Sequence, residues 1–130
     1  MYELLYVFIG GGAGSLCRYT LGQWLPRPSQ EAFPWSTLVA NLIGCLLIGL
    51  LWGYLERRQT GWMQLMLVTG FCGGFTTFST FSHETLTLLR QGQHSLAFLY
   101  LFVSLVAGIG CTACGYFLPR LIAQLQQLAL

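Results

Sequence analysis

The run Gly70-Phe71-Cys72-Gly73-Gly74-Phe75-Thr76-Thr77-Phe78-Ser79-Thr80-Phe81-Ser82 is the part of the chain best equipped for chemistry. It lies midway along a long apolar segment. Adjacent glycines followed by two threonines disfavour an uninterrupted helix, because glycine costs backbone entropy and β-branched threonine loses side-chain freedom. A break at membrane depth frees backbone carbonyls and amides, and it survives only when buried in protein or lining a cavity. Discontinuous helices near the midplane typically bind ions. The plainer reading is a glycine-lined helix crossing with no break, since glycine is common in membrane helices.

Phe78 and Phe81 stand at i and i+3 and share a helix face. Such a pair is ordinary packing or lipid contact. An aromatic ring also has a positive edge, which stabilises an anion without a hydrogen bond too strong to release. Asn41 sits about one turn into the apolar part of the second segment, in the pattern Thr37-x-x-x-Asn41-x-x-Gly44. An amide in lipid needs a partner, either across a helix contact or, if its NH2 faces a pore, an anion. Arg18 lies well inside the first apolar segment. Ionisable groups there are rare and mark function, although a long side chain also snorkels to an interface as an anchor.

Hydroxyls surround these groups. Ser79, Thr80 and Ser82 accompany the phenylalanines, and Tyr100 and Ser104 share a face at i, i+4. They are able to bond a small anion, or their own helix carbonyls, which is the commoner case. Glu84 shares a face with Thr80 and Thr87 and reads as a proton-handling group, a partner for an arginine, or an interfacial residue. His94 falls in a predicted loop.

Four apolar segments must position these residues, at about 2–24, 33–55, 62–89 and 95–118. Each meets the roughly 20 residues needed to cross a bilayer core of about 30 Å. Backbone groups in lipid must be paired internally, so the segments are predicted to be helices. Trp24, Trp35, Trp52, Tyr54, Trp62 and Tyr116 mark their ends, where amphipathic rings prefer to sit. Pro26, Pro28 and Pro34 bracket the first connection, residues 56–61 make the second and residues 91–94 the third. Pro119 is expected to end the last helix, followed by a short interfacial turn carrying Leu121, Ile122, Leu125 and Leu128.

Composition agrees. The chain has 130 residues, suiting one domain over 1–130, with 55% hydrophobic and only 8% charged residues, and its mean hydropathy is +0.62. Soluble domains are nearer a quarter charged. Lysine and aspartate are absent, and a net charge of +2 with no basic stripe argues against nucleic acid. Cys17, Cys45, Cys72, Cys111 and Cys114 all fall in apolar stretches. One C-x-x-C pair without a second does not make a zinc site, and a disulfide framework has no extracellular domain to staple. The N-terminal stretch lacks a basic start and is read as a retained helix. Ile9 to Ser15 hints at a dinucleotide fingerprint, but the third glycine is missing and no βαβ unit follows. No nucleophile–base pair supports an enzyme.

Four spans put both termini on one side with Arg57, Arg58 and Arg120, opposite Arg27 and Arg90. So small a bias fits a cytoplasmic loop set by Arg57-Arg58, or insertion in both orientations with antiparallel pairing. Small residues recur at packing spacing, Gly10 with Gly14, Gly49 with Gly53, Gly70 with Gly74, and Ser104 with Gly108 and Thr112. These faces let helices approach closely, and with so thin a bundle they predict an oligomer, a two-fold dimer being the commonest.

Taken together, Gly10 to Gly14 with Arg18-Tyr19, Asn41-Leu-Ile-Gly44, and the 70–82 block ending near Glu84 closely resemble the CrcB/Fluc family of fluoride channels. The match extends over essentially the whole chain. The resemblance implies an all-α membrane protein of four transmembrane helices, the third broken at the midplane. It also implies an antiparallel, dual-topology homodimer that passively exports fluoride across a bacterial cytoplasmic membrane. Asn41, Phe78 and Phe81 would line the pore, with Ser79, Thr80, Tyr100 and Ser104 bordering a polar path and Arg18 near the vestibule. Backbone carbonyls of Gly73 and Thr76 would hold a structural sodium ion at the two-fold axis. Some family members carry a hydroxyl where this chain has Gly108. The rival readings are a small dual-topology multidrug cation exporter, which should carry an embedded acid on its first helix where this chain has Arg18, and a non-transporting membrane scaffold.

Overall fold

The computed structural model describes residues 1–25, 33–56 and 61–128. Arg27, Arg57, Arg58, Pro26 and Pro28 lie outside the described residues, as do Gln59 and Thr60. Helix α1 is Tyr2–Trp24 and α2 is Trp35–Leu55. Helix α3 is one continuous rod made of Gly61–Met63, a wide π-helical stretch Gln64–Cys72, and a last turn Gly73–Phe75. Helix α4 is Phe78–Arg90 and α5 is His94–Leu128. Among the described residues, three stretches are long and apolar enough to cross a membrane, Trp35–Leu55, Gly61–Arg90 and His94–Leu128. Helix α1 has 23 residues, but its glycines, Glu3 and Arg18 dilute its apolar character.

The helices meet as two glycine-lined pairs. Helix α1 lies on α3 so closely that a Cβ added at Gly10 would stand 2.0 Å from the Met66 carbonyl oxygen, and one at Gly14 2.2 Å from that of Phe71. Helix α2 lies on α5 in the same way, with a Cβ at Gly49 falling 2.2 Å from the Thr112 carbonyl oxygen and one at Gly115 2.4 Å from that of Leu46. Backbones this close gain dispersion contacts that lipid chains do not replace. The glycine faces read from sequence as a reason to oligomerise are therefore largely spent inside one chain. The Ser104–Gly108 face alone stays open, along the trough described below.

The apolar core is small and sits at one end of the bundle, where Leu38, Leu88, Ala97 and Tyr100 join with Phe33, Phe81 and Val103 packed around them. Large apolar side chains such as Phe8, Leu16, Phe102 and Phe117 face outward, as a lipid solvent permits. Helices α4 and α5 join through a tight turn. Gly92 takes φ 75°, the Gly92 N–H bonds the Leu89 carbonyl at 3.1 Å, and the Gln93 N–H bonds that of Leu88 at 2.9 Å, closing the last turn of α4. His94, expected in a loop, instead opens α5.

The last helix does not end at Pro119. It runs through the proline to Leu128, so the expected short interfacial turn is corrected to further helix. Proline removes one backbone bond and crowds the carbonyl four residues back, and side chains brace the gap. Arg120 donates to the Glu56 carboxylate and to the Tyr116 hydroxyl, and its guanidinium lies 4.2 Å from the Tyr116 ring centre. Tyr116 itself donates to Glu56 at 3.0 Å. The pair is a third to a half exposed, so Arg120→Gln should cost under about 1 kcal/mol of stability. Hydrogen exchange should nevertheless speed up selectively after residue 120. Unchanged exchange there would mean that the brace does not hold the tail.

Candidate functional site

Helix α3 stops at Phe75, and two extended residues follow before α4 begins. Thr76 has φ −82° and ψ 155°, and Thr77 has φ −141° and ψ 100°. The break thus falls just past the glycine pair, at the threonines, whose branched side chains suit extended backbone. Its orphan backbone groups are met from neighbouring helices. The Thr77 N–H donates to Asn41 Oδ1 at 2.8 Å, and Asn41 Nδ2 donates back to the Thr77 carbonyl at 3.3 Å. The Ser15 hydroxyl of α1 reaches the Gly74 carbonyl at 3.3 Å. The Thr76 N–H and hydroxyl both bond the Cys72 carbonyl, at 3.0 and 2.9 Å. Asn41 therefore staples the break to α2, and one of its two amide hydrogens is left over.

An open trough of about 1030 Å³ runs along this break. Asn41, Gly73, Thr76, Phe78, Phe81 and Ser104 all line it, together with Thr77, Gly44, Cys45 and Cys72. It merges with a second trough of about 760 Å³ along α2 and α5, the two sharing Cys45, Ile48, Val68, Ser104 and Leu105. Phe78 and Phe81 stand with ring centres 5.8 Å apart at 44°. Phe78 is 80% exposed, whereas Phe81 leans on Tyr100 at 5.0 Å. Ser104 Oγ is buried with no partner among the described residues. A Cβ at Gly108 would stand 3.6 Å from Cys45 Sγ, an ordinary contact, so a methyl would fit there.

Other candidates lie elsewhere. Ser79 and Thr80 are exposed and are not among the trough's lining residues. Arg18 is half-buried on α1, also away from that lining. Tyr100 is fully buried behind Phe81. Its hydroxyl donates to Glu84 Oε2 at 2.8 Å while the Thr37 hydroxyl donates to Glu84 Oε1 at 2.8 Å. Each oxygen of the half-buried Glu84 carboxylate thus has its own donor. Sequence reasoning left Glu84 open and named Thr37 only as part of the Asn41 pattern, one turn before Asn41 on the same face, with no role of its own. Tyr100→Phe removes one donor and should cost about 1–3 kcal/mol, read as earlier thermal unfolding in detergent. A melting point equal to the parent's would show that Glu84 is satisfied without it.

Apolar helices of membrane-crossing length, a break stapled by an amide and a trough with few polar groups define a multi-pass integral membrane protein built to handle a solute. The chain belongs to the CrcB-like family, described as "CrcB-like protein, Camphor Resistance (CrcB)", which matches residues 5–116. It is 41% identical over 122 residues to a protein of Flavobacterium psychrophilum, covering 92% of this chain and 98% of the relative. It is 46% identical over 110 residues to one from Phocaeicola vulgatus, covering 84% and 91%. With a relative in Desulfotalea psychrophila it shares 42% over 118 residues, covering 90% and 91%. All three relatives are named fluoride-specific ion channel FluC.

Proposed function

We propose that this chain is a passive, fluoride-selective channel of the bacterial cytoplasmic membrane, with α1 as a fourth span and two copies pairing antiparallel. The observation that carries the reading is the trough, which brings Asn41, Phe78, Phe81 and Ser104 together beside a helix break. The names of the relatives supply the ion. Fluoride is small and strongly hydrated, so a narrow path must replace its water with donors. The spare amide hydrogen of Asn41 and the unpartnered Ser104 hydroxyl are such donors. The positive ring edges of Phe78 and Phe81 add weak attraction without trapping the ion. Outward movement is driven by the fluoride gradient and an inside-negative potential, which contributes about 2.3 kcal/mol per charge per 100 mV.

The trough is open along its length, and a second copy of the chain would close it into a path. Tyr100 supports the Phe81 ring from behind, a positioning role. Ser79 and Thr80 would border the path from a partner-facing side of α4, and Arg18 would attract anions near an entrance. Gly73 and Thr76 fit the sodium ion implied by the family resemblance. The Thr77 N–H, the usual donor to the Gly73 carbonyl, is taken by Asn41, and the chain leaves the helix at Thr76. Their carbonyls would hold the ion, which would supply a fixed positive charge beneath the break. A cation exporter is less well supported, because the embedded acid of α4, Glu84, already accepts two hydroxyl donors.

The test is efflux from liposomes holding purified protein and sodium, followed with fluoride and chloride electrodes. Fast fluoride release with little chloride release is expected. Failure of fluoride release from correctly reconstituted dimers would overturn the reading.

A further inference from the structure

Threonine inside a membrane helix ordinarily folds its hydroxyl back onto the carbonyl one turn earlier. Five threonines of this chain do so. The hydroxyls of Thr20, Thr76, Thr85, Thr87 and Thr112 each donate to the carbonyl four residues back, at 3.1, 2.9, 2.8, 2.9 and 3.1 Å. Thr37 and Thr80 stand in the first turn of their helices, with no helical carbonyl behind them. Thr69 differs from both groups. It lies well inside α3, yet its hydroxyl has no partner among the described residues. The π-helical stretch accounts for this. Its carbonyls turn toward the N–H five residues on, as that of Val68 does toward Gly73, and no longer lie over a hydroxyl four residues on.

Thr69 is exposed, and it lines the larger trough with Asn41, Gly73 and Thr76. Its neighbour Val68 belongs to both troughs, as does Ser104 on α5, so Thr69 stands beside the place where the two merge. A hydroxyl in an apolar wall is costly unless something meets it. An ion stripped of water at Asn41 in turn needs further donors along the wall. We propose that the Thr69 hydroxyl donates a hydrogen bond to fluoride as the ion moves along the trough, a task it shares with Ser104. It stands about two turns before Thr77 on the same rod and its continuation, so the path has a donor beyond the break. An O–H carries no net charge, so it replaces part of the hydration shell without trapping the anion. The widened helix thereby has a use: it frees a donor that an α-helix would keep for itself.

The inference rests on the channel reading above, so fluoride release by the parent is the reference. Initial rates of efflux from liposomes are compared at equal amounts of reconstituted dimer. Thr69→Val keeps the shape of the side chain and loses the O–H. It should slow release by at least about tenfold, the worth of one hydrogen bond to a charged group. Thr69→Ser loses the methyl, keeps the O–H and should run near the parental rate. A purely structural threonine gives the opposite order, because valine preserves packing better than serine does. Thr20→Val removes a hydroxyl already spent on α1 carbonyls and should leave the rate unchanged. Thr69→Ala takes the place of valine where valine fails to reconstitute. Parental release through Thr69→Val, or slower release through serine than through valine, would overturn the assignment and leave the channel reading intact. So would a Thr69→Val chain whose sole defect is a weaker dimer, since the hydroxyl would then be a contact between copies. A parent that releases no fluoride fails the channel reading, and the role of Thr69 falls with it.

Discussion

Asn41→Leu should abolish fluoride efflux and also lower the melting point, whereas Asn41→Asp should abolish efflux with a smaller fall in melting point. The two substitutions separate the two tasks of one side chain. Leucine removes the acceptor for the Thr77 N–H and the donor for the Thr77 carbonyl. Thr77 is only 8% exposed, so its freed groups find no water, at a cost of about 1–3 kcal/mol. Aspartate keeps an oxygen for the Thr77 N–H but has no donor for the Thr77 carbonyl, so the break keeps one of its two bonds and the stability loss is partial. It loses the spare amide hydrogen that would face the anion, and it places a negative charge in the trough beside Phe78 and Phe81. Repulsion at this point should slow fluoride by at least about a hundredfold, about 2.7 kcal/mol on the barrier. Phe81→Ile belongs to the same series and should reduce efflux without unfolding, since an aliphatic side chain fills space but has no positive ring edge. Parental efflux through Asn41→Asp would remove Asn41 from the ion path and leave it a staple alone.

What the sequence made legible follows from how local each signal is. The long apolar runs, the shared face of Phe78 and Phe81, and a disruption somewhere in 70–82 rest on neighbours within a turn or two, and the structure has all three. The seat of the break was harder to place. A glycine that bends a helix and a glycine that lets another helix touch it look alike in sequence, because both depend on the missing Cβ. Here Gly70 and Gly74 serve contact with α1, and the chain breaks at Thr76 and Thr77 instead. The partner of that break, Asn41, is 36 residues away, beyond any local pattern. Tyr100 and Ser104 share a face at i, i+4, yet Tyr100 lies under Phe81 and Ser104 is among the residues lining the trough. Tertiary packing splits what periodicity joined. Pro119 misled for a similar reason, since the Arg120 brace to Glu56 spans 64 residues.

Alanine at Gly10 or Gly49 should be among the most damaging single-methyl changes in the chain, while alanine at Gly12 or Gly110 should be neutral or stabilising. All four glycines lie within long helices, where alanine is intrinsically better by about 1 kcal/mol. The sign therefore depends on what the new methyl meets. At Gly12 and Gly110 it meets nothing within 4 Å, so the propensity gain stands alone. At Gly10 it would stand 2.0 Å from the Met66 carbonyl oxygen, and at Gly49 2.2 Å from that of Thr112. These are backbone atoms of a packed helix and do not rotate away. The helix pair must separate, losing dispersion contacts along its length, for a typical overpacking cost of about 1–3 kcal/mol. The two sites differ in what else moves. Separation at Gly10 shifts α1 from α3 and pulls the Ser15 hydroxyl from the Gly74 carbonyl, so efflux should fall along with the melting point. Separation at Gly49 loosens α2 from α5 far along α2 from Asn41, and there stability should fall more than efflux does. Equal melting points for Gly10→Ala and Gly12→Ala would mean that α1 does not approach α3 as closely as this fold requires.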